Sequence, residues 1–127
     1  MRSDVLVYLA GPITPKNGYT MQQNAEAALE VYLRLLKLGI PCFLPHLNCF
    51  IPNLETCGVE YKTWTEYDFA VMWKCSHILM LPRWRDSAGA IAERNYAIEH
   101  GMDVYYTEES LLSSLGFAPP PSPLRLS

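Results

Sequence analysis

The chain has 127 residues, 50% of them hydrophobic and 18% charged, which fits one globular domain and excludes a disordered segment. Lys and Arg total 10 against 13 Asp and Glu, so the net charge of −3 offers no basic face to a long nucleic acid. No apolar run nears the roughly 20 residues that cross a bilayer, and Val5 to Ala10 is too short for a signal-peptide core, which excludes a membrane-spanning helix and points to the cytoplasm.

Asp4 to Ala10, rich in Val, Leu and Tyr, reads as a strand buried on both faces, a feature of parallel sheets. Gly11 to Gly18 carries strong turn signals. From Thr20 to Leu38 apolar residues recur at helical spacing (Ala25, Ala28, Leu29, Tyr32, Leu35), and Gly39 ends that helix. Ile40 to Leu44 is a second strand. Pro45 to Glu60 is a long connection that holds His46, Asn48, Cys49 and Cys57, and connections of that length often serve function. Tyr61 to Lys74 reads as a second helix. Its Tyr61, Trp64, Met72 and Trp73 suit a core or a subunit interface better than a cofactor box.

A third strand spans Ile78 to Leu81, and a polar loop with Trp84 follows it. Ser87 opens an Ala-rich helix over Ala88 to His100, with Glu93 in its second turn. Gly101 stops that helix, Met102 to Tyr106 is a fourth strand, and Glu108 to Leu115 is a closing helix. Residues 1–116 thus form one domain, and residues 117–127 form a Pro-rich tail. Alternating strand and helix implies a single-domain α/β fold, an open parallel sheet of flavodoxin or Rossmann-like type with helices on both faces.

In such folds ligands bind beyond the carboxyl ends of the strands. That rule brings Tyr8, Gly11, His46, Trp84 and Ser87 to one edge, with Glu93 reaching it from the third helix. The free N–H groups at Ser87, Ala88 and Gly89 favour an anionic or oxygen-rich ligand such as a nucleoside or nucleotide. Ser87 serves at least as a helix cap, and His46 equally suits a structural hydrogen bond. Cys42, His46, Cys49 and Cys57 lack the tight C-x2-C pairs of structural zinc sites, so no metal is assigned, and reduced thiols are expected.

The ordered set Tyr8-Leu9-Ala10-Gly11-Pro12, Tyr67-Asp68, Cys75-Ser76-His77-Ile78 and Leu81 to Ala90 with Glu93 resembles the nucleoside 2-deoxyribosyltransferase-like superfamily. The similarity covers roughly residues 5 to 106 and is strongest to a small bacterial and phage branch near the nucleoside 5′-monophosphate N-glycosidases. The resemblance implies cleavage of an N-glycosidic bond, by hydrolysis or by transfer to a second base, without a cofactor. It implies Glu93 as nucleophile, Asp68 as the acid or orienting group and Tyr8 as positioner of the nucleophile. It also implies Ser87 and Gly89 at a 5′-phosphate, and a homo-oligomer. Ser87 replaces the acidic residue of the deoxynucleoside transferases, while Pro12 and Thr14 replace polar loop residues of the monophosphate hydrolases.

The same roles follow from the chemistry. Loss of the base builds oxocarbenium character that a carboxylate can stabilise or trap. The leaving base needs a proton, which a second carboxyl supplies. An aromatic wall stacks on the base, a role open to Trp84. The alternative of another class is a nucleotide-binding or sensing module that keeps the pocket without turnover.

Overall fold

Alternation along the first strand decides which side of the sheet each residue serves. Successive side chains of a strand point to opposite faces. Val7 and Leu9 enter one core and Tyr8 and Ala10 another, all four fully buried. The chain, described here from a computed structural model over residues 1–117, therefore folds as two layers of helix around one sheet. The expected Pro-rich tail lies outside the described residues, apart from Phe117.

The sheet has four parallel strands in the order β2-β1-β3-β4, with β1 at Val7–Ala10, β2 at Cys42–Phe43, β3 at His77–Met80 and β4 at Asp103–Tyr105. Tyr8 pairs with Phe43 on one side and with Ile78 on the other. The chain steps outward in one direction from β1 to β2 and in the other from β3 to β4. The crevice of such sheets lies at that switch, between β1 and β3. The open parallel α/β architecture is as the alternation of elements implies.

Helix α1 (Met21–Lys37) starts at a capping box in which Thr20 Oγ1 accepts from the Gln23 N–H and Gln23 returns a bond to the Thr20 N–H. Its buried Ala25, Ala28, Val31 and Leu35 form one stripe against Leu9 and Leu79. Gly39, at φ +78°, takes the left-handed turn after the helix. Helix α4 (Glu108–Ser114) covers the same side through Leu111, and Arg34 forks onto the Glu108 carboxylate at 2.9 and 2.8 Å. Helices α2 (Tyr61–Met72) and α3 (Ala88–Glu99) cover the other side through Met72, Ala90 and Ala97.

The paired strands are shorter than the apolar runs. The first run pairs only from Val7, and the second only at Cys42–Phe43. Pro41 and Pro45 flank that pair and have no N–H to give a ladder. The connection after β2 holds two 3-10 turns, Pro45–Phe50 and Leu54–Thr56. Among the described residues no helix is long and apolar enough to cross a membrane.

Candidate active site

Glu93 lies on the inner stripe of α3. It falls three residues after Ala90 and four before Ala97, both with no exposed surface. Small side chains at those positions bring the helix backbone close to the sheet, so the longer Glu93 side chain reaches the strand beneath. There the Tyr8 phenol donates a hydrogen bond to its carboxylate. Tyr8 is fully buried in the middle of β1, and not at the strand end as its place before Gly11 suggests.

Asp68 joins them from α2. It lies four residues from fully buried Met72, and one of its carboxylate oxygens is buried with no hydrogen-bond partner. Burial pushes its carboxyl up to about 6. Burial raises Glu93 as well, to about 8, and the Asp68 charge adds to the rise while the Tyr8 bond opposes it. The Tyr8 phenol is pushed far above its ordinary range, first by burial and then by the charges of Glu93 and Asp68. The phenol therefore stays a donor, and the two carboxyls hold one proton between them near neutral pH.

An aromatic wall borders this cluster. Phe43 of β2 lies 5.6 Å from the Tyr8 ring and 5.8 Å from Tyr67, and Trp64 meets Tyr67 edge-on at 6.3 Å. Trp64 precedes Asp68 by four residues, so the two share a helix face. That spacing is visible in the sequence, yet a Trp at helical spacing equally suits a core, and Trp64 was not among the expected site residues.

The remaining expected residues each have local contacts of their own. Ser87 caps α3 by accepting from the Ala90 N–H at 3.1 Å, and Gly89 is exposed in the first turn, where a Cβ would lie 3.8 Å from Ser87 Oγ. Gly11 is small because a Cβ there would lie 2.8 Å from Leu81 Cβ, so packing between the strand ends accounts for it. Trp84 packs 5.6 Å from Tyr106, with the Arg85 and Arg94 guanidinium groups 4.6 and 5.4 Å from its ring. Trp84 also packs against the core that holds Tyr8 and Ala90, and the aromatic wall beside Asp68 comes from α2 and β2.

His46 sits beyond the carboxyl ends of the strands, after β2 and beside Pro12, which follows β1. Its ring is buried, with Nε2 3.0 Å from the Pro12 carbonyl oxygen. It lines a cavity of about 520 Å³ together with Leu79 and Leu81, whose side chains belong to the α1 core. Tyr8 belongs to the opposite core, although Met80 of that core also borders the cavity. Among the described residues no group of three or more His, Cys, Asp or Glu is placed to hold a metal ion, and Cys42, His46, Cys49 and Cys57 do not converge.

One face of the parallel α/β sheet thus carries a fully buried phenol and two half-buried carboxyls. The chain belongs to the family described as a domain of unknown function (DUF4406), whose pattern matches residues 5–106. That span includes Tyr8, Asp68, Ser87 and Glu93. No curated protein matches the chain.

Proposed function

We propose that the protein cleaves the N-glycosidic bond of a nucleoside or nucleoside 5′-monophosphate, with Glu93 as nucleophile. The observation that carries this reading is the Tyr8 hydrogen bond to Glu93 beside the partnerless Asp68 carboxyl. Retaining glycosidic chemistry uses such a pair, one carboxylate to attack and one carboxyl to give and take a proton. In the empty site the shared proton sits on Glu93, so it passes to Asp68 before Glu93 attacks.

A Glu93 oxygen bonds to the anomeric carbon while the bond to the base nitrogen breaks. The electron pair leaves with the base, which takes a proton from Asp68. Water or a second base then attacks the anomeric carbon and releases Glu93, and Asp68 takes the proton back. Tyr8 holds the attacking carboxylate in one orientation. Trp64 and Tyr67 offer a stacking surface to the base, and the exposed start of α3 at Ser87 and Gly89 suits a 5′-phosphate. No step needs a cofactor. Exposed Tyr61, Trp73 and Ile98 on the α2–α3 layer suit the homo-oligomer that the resemblance implies, and on this reading the enzyme would serve cytoplasmic nucleotide metabolism.

A non-catalytic nucleotide-binding module is the second reading. Burial that keeps Glu93 protonated up to about pH 8 in the empty site favours it, because a neutral carboxyl is a poor nucleophile. The deciding experiment is release of free base from ribo- and deoxyribonucleosides and their 5′-monophosphates, with Glu93→Gln in parallel. Release that is lost in the variant supports the glycosidase. Tight binding of a panel member without release selects the module.

A further inference from the structure

One side chain crosses the crevice of this sheet. After β1 the chain turns to α1 on one face, and after β3 it turns to α3 on the other. The two loops wall the switch between β1 and β3, where ligands of such sheets bind. Arg83 belongs to the loop after β3, yet its guanidinium docks on the opposite wall. It lies 3.5 Å from the centroid of the Tyr19 ring and donates to Asn24 Oδ1 at 2.7 Å. Asn24, 3% exposed, holds that wall by donating to the Ile13 and Thr14 carbonyls.

Three observations make Arg83 more than a strut. Its backbone is left-handed, at φ +65° and ψ 20°, a conformation that glycine takes freely and a bulky side chain does not. Residues held in this way cluster at ligand sites. Its charge also lacks a counterion. Among the described residues no carboxylate lies within ion-pair distance of Arg83, and Asn24 is its one side-chain hydrogen-bond partner. A guanidinium has five N–H donors in a planar fork that suits phosphate. Lastly, Arg83 lines the cavity of about 520 Å³ at the carboxyl edge, with Pro12, Met80 and Tyr106. Arg34, the other arginine of that cavity, is closed by the Glu108 carboxylate. Met80 belongs to the core of Tyr8, so the cavity borders the carboxyl face. Met80 pairs with Ala10, and Tyr8 lies two residues back, roughly 7 Å along the strand. A substrate at Glu93 that extends past the strand ends therefore reaches the loop of Arg83.

We propose that Arg83 is the specificity-determining residue of this site. It binds the 5′-phosphate, so the substrate class is the nucleoside 5′-monophosphate, and the free nucleoside is the poorer substrate. The inference rests on the glycosidase reading and gives the phosphate a cation. The start of α3 offers only backbone amides and Ser87, whose Oγ already accepts from the Ala90 N–H.

Base release from nucleosides and their 5′-monophosphates tests it, as kcat/KM for each pair. In the wild type the monophosphate should exceed its nucleoside tenfold or more. Arg83→Gln should cut the monophosphate value about 10- to 100-fold more than the nucleoside value, as loss of a charge-assisted hydrogen bond does. Arg83→Lys, which keeps the charge, should restore part of the preference. Arg83→Gly, suited to the left-handed backbone, should lose it while melting within a few degrees of the wild type. Calorimetric titration of Glu93→Gln with adenosine and adenosine 5′-monophosphate, with and without Arg83→Gln, reads the same preference without turnover. A preference that Arg83→Gln abolishes there, with no base released by the wild type, would keep Arg83 as the phosphate reader and reject the glycosidase. The proposal is overturned if the protein neither binds nor cleaves the monophosphate better than the nucleoside. It is also overturned if Arg83→Gln weakens both alike, the result of a strut that only holds Tyr19 and Asn24.

Discussion

The two faces of the sheet are built from the same four strands and do opposite work. On the α1–α4 face, Leu9, Leu35, Leu79 and Leu111 pack as an aliphatic core, each no more than 1% exposed. On the α2–α3 face, fully buried Tyr8 is joined to Glu93, and a carboxylate oxygen of Asp68 is buried beside them without a partner. Aliphatic burial stabilises a fold without condition, whereas buried carboxyls oppose it whenever they ionise. A site that costs stability on one face therefore depends on ordinary packing on the other. Substitutions on the two faces should separate accordingly.

The largest effect belongs to Glu93→Gln. Base release should fall about 10³-fold or more, as loss of a nucleophile does. The same change should raise stability in alkali. The Glu93 pKa is raised from 4.5 to about 8, so the folded state prefers the neutral form. That contribution is complete below pH 4.5 and is lost as pH rises through 8. The melting temperature of Glu93→Gln should therefore match wild type near pH 4 and exceed it by a few degrees at pH 9. A variant that melts lower at pH 9 would refute the burial of this carboxyl.

Leu35→Ala should act through stability alone. A leucine with no exposed surface that loses its side chain costs about 2–5 kcal/mol. Urea unfolding should show this, with kcat unchanged for the folded fraction. A large fall in kcat instead would tie the two faces together.

Tyr8→Phe comes next. Loss of one hydrogen bond to a charged group costs about 1.5–3 kcal/mol, or roughly 10- to 100-fold in kcat/KM. The pH profile sharpens this test. With one proton shared by the carboxyls, wild-type activity should be bell-shaped, with limits near 6 and 8. The Tyr8 bond lowers Glu93, so its removal should move the upper limit to higher pH. A fall in rate with an unmoved profile would leave Tyr8 with packing alone.

The smallest effect is Thr20→Ala, at the capping box of α1. Caps of this kind are worth about 1 kcal/mol, and base release should not change. Urea titration gives the first quantity and the activity panel the second. Loss of activity here would show that the start of α1 shapes the carboxyl site.

Much of this molecule was legible in its sequence, and each legible part has a local cause. The order of strands and helices follows from the spacing of apolar residues. Thr20, Ser87 and Gly39 mark helix ends because their bonds and backbone angles are made within a few residues. Glu93 stood out because it interrupts a run of Ala and Gly.

Assignment to faces was less legible, because it depends on strand register and on which helix covers which side. Tyr8, three residues before Gly11, read as an edge residue, yet pairing runs from Val7 to Ala10 and places it within the strand. His46 follows β2 as expected, yet the 3-10 turn at Pro45–Phe50 places it with Pro12, on the α1 side of the sheet. Trp64 looked like core until α2 set it on the face of Asp68.

The sequence by itself determined the parallel α/β class and the helix caps, which rest on periodicity and short-range bonds, while the candidacy of Glu93, Asp68 and Tyr8 rested on a family resemblance. Only the tertiary structure decided that the phenol meets one carboxyl, that an oxygen of the other is buried without a partner, and that His46 is buried against Pro12. Proton sharing and cavity walls arise from distances between residues far apart in the chain, such as Tyr8 and Glu93, and those distances exist only once the sheet has closed.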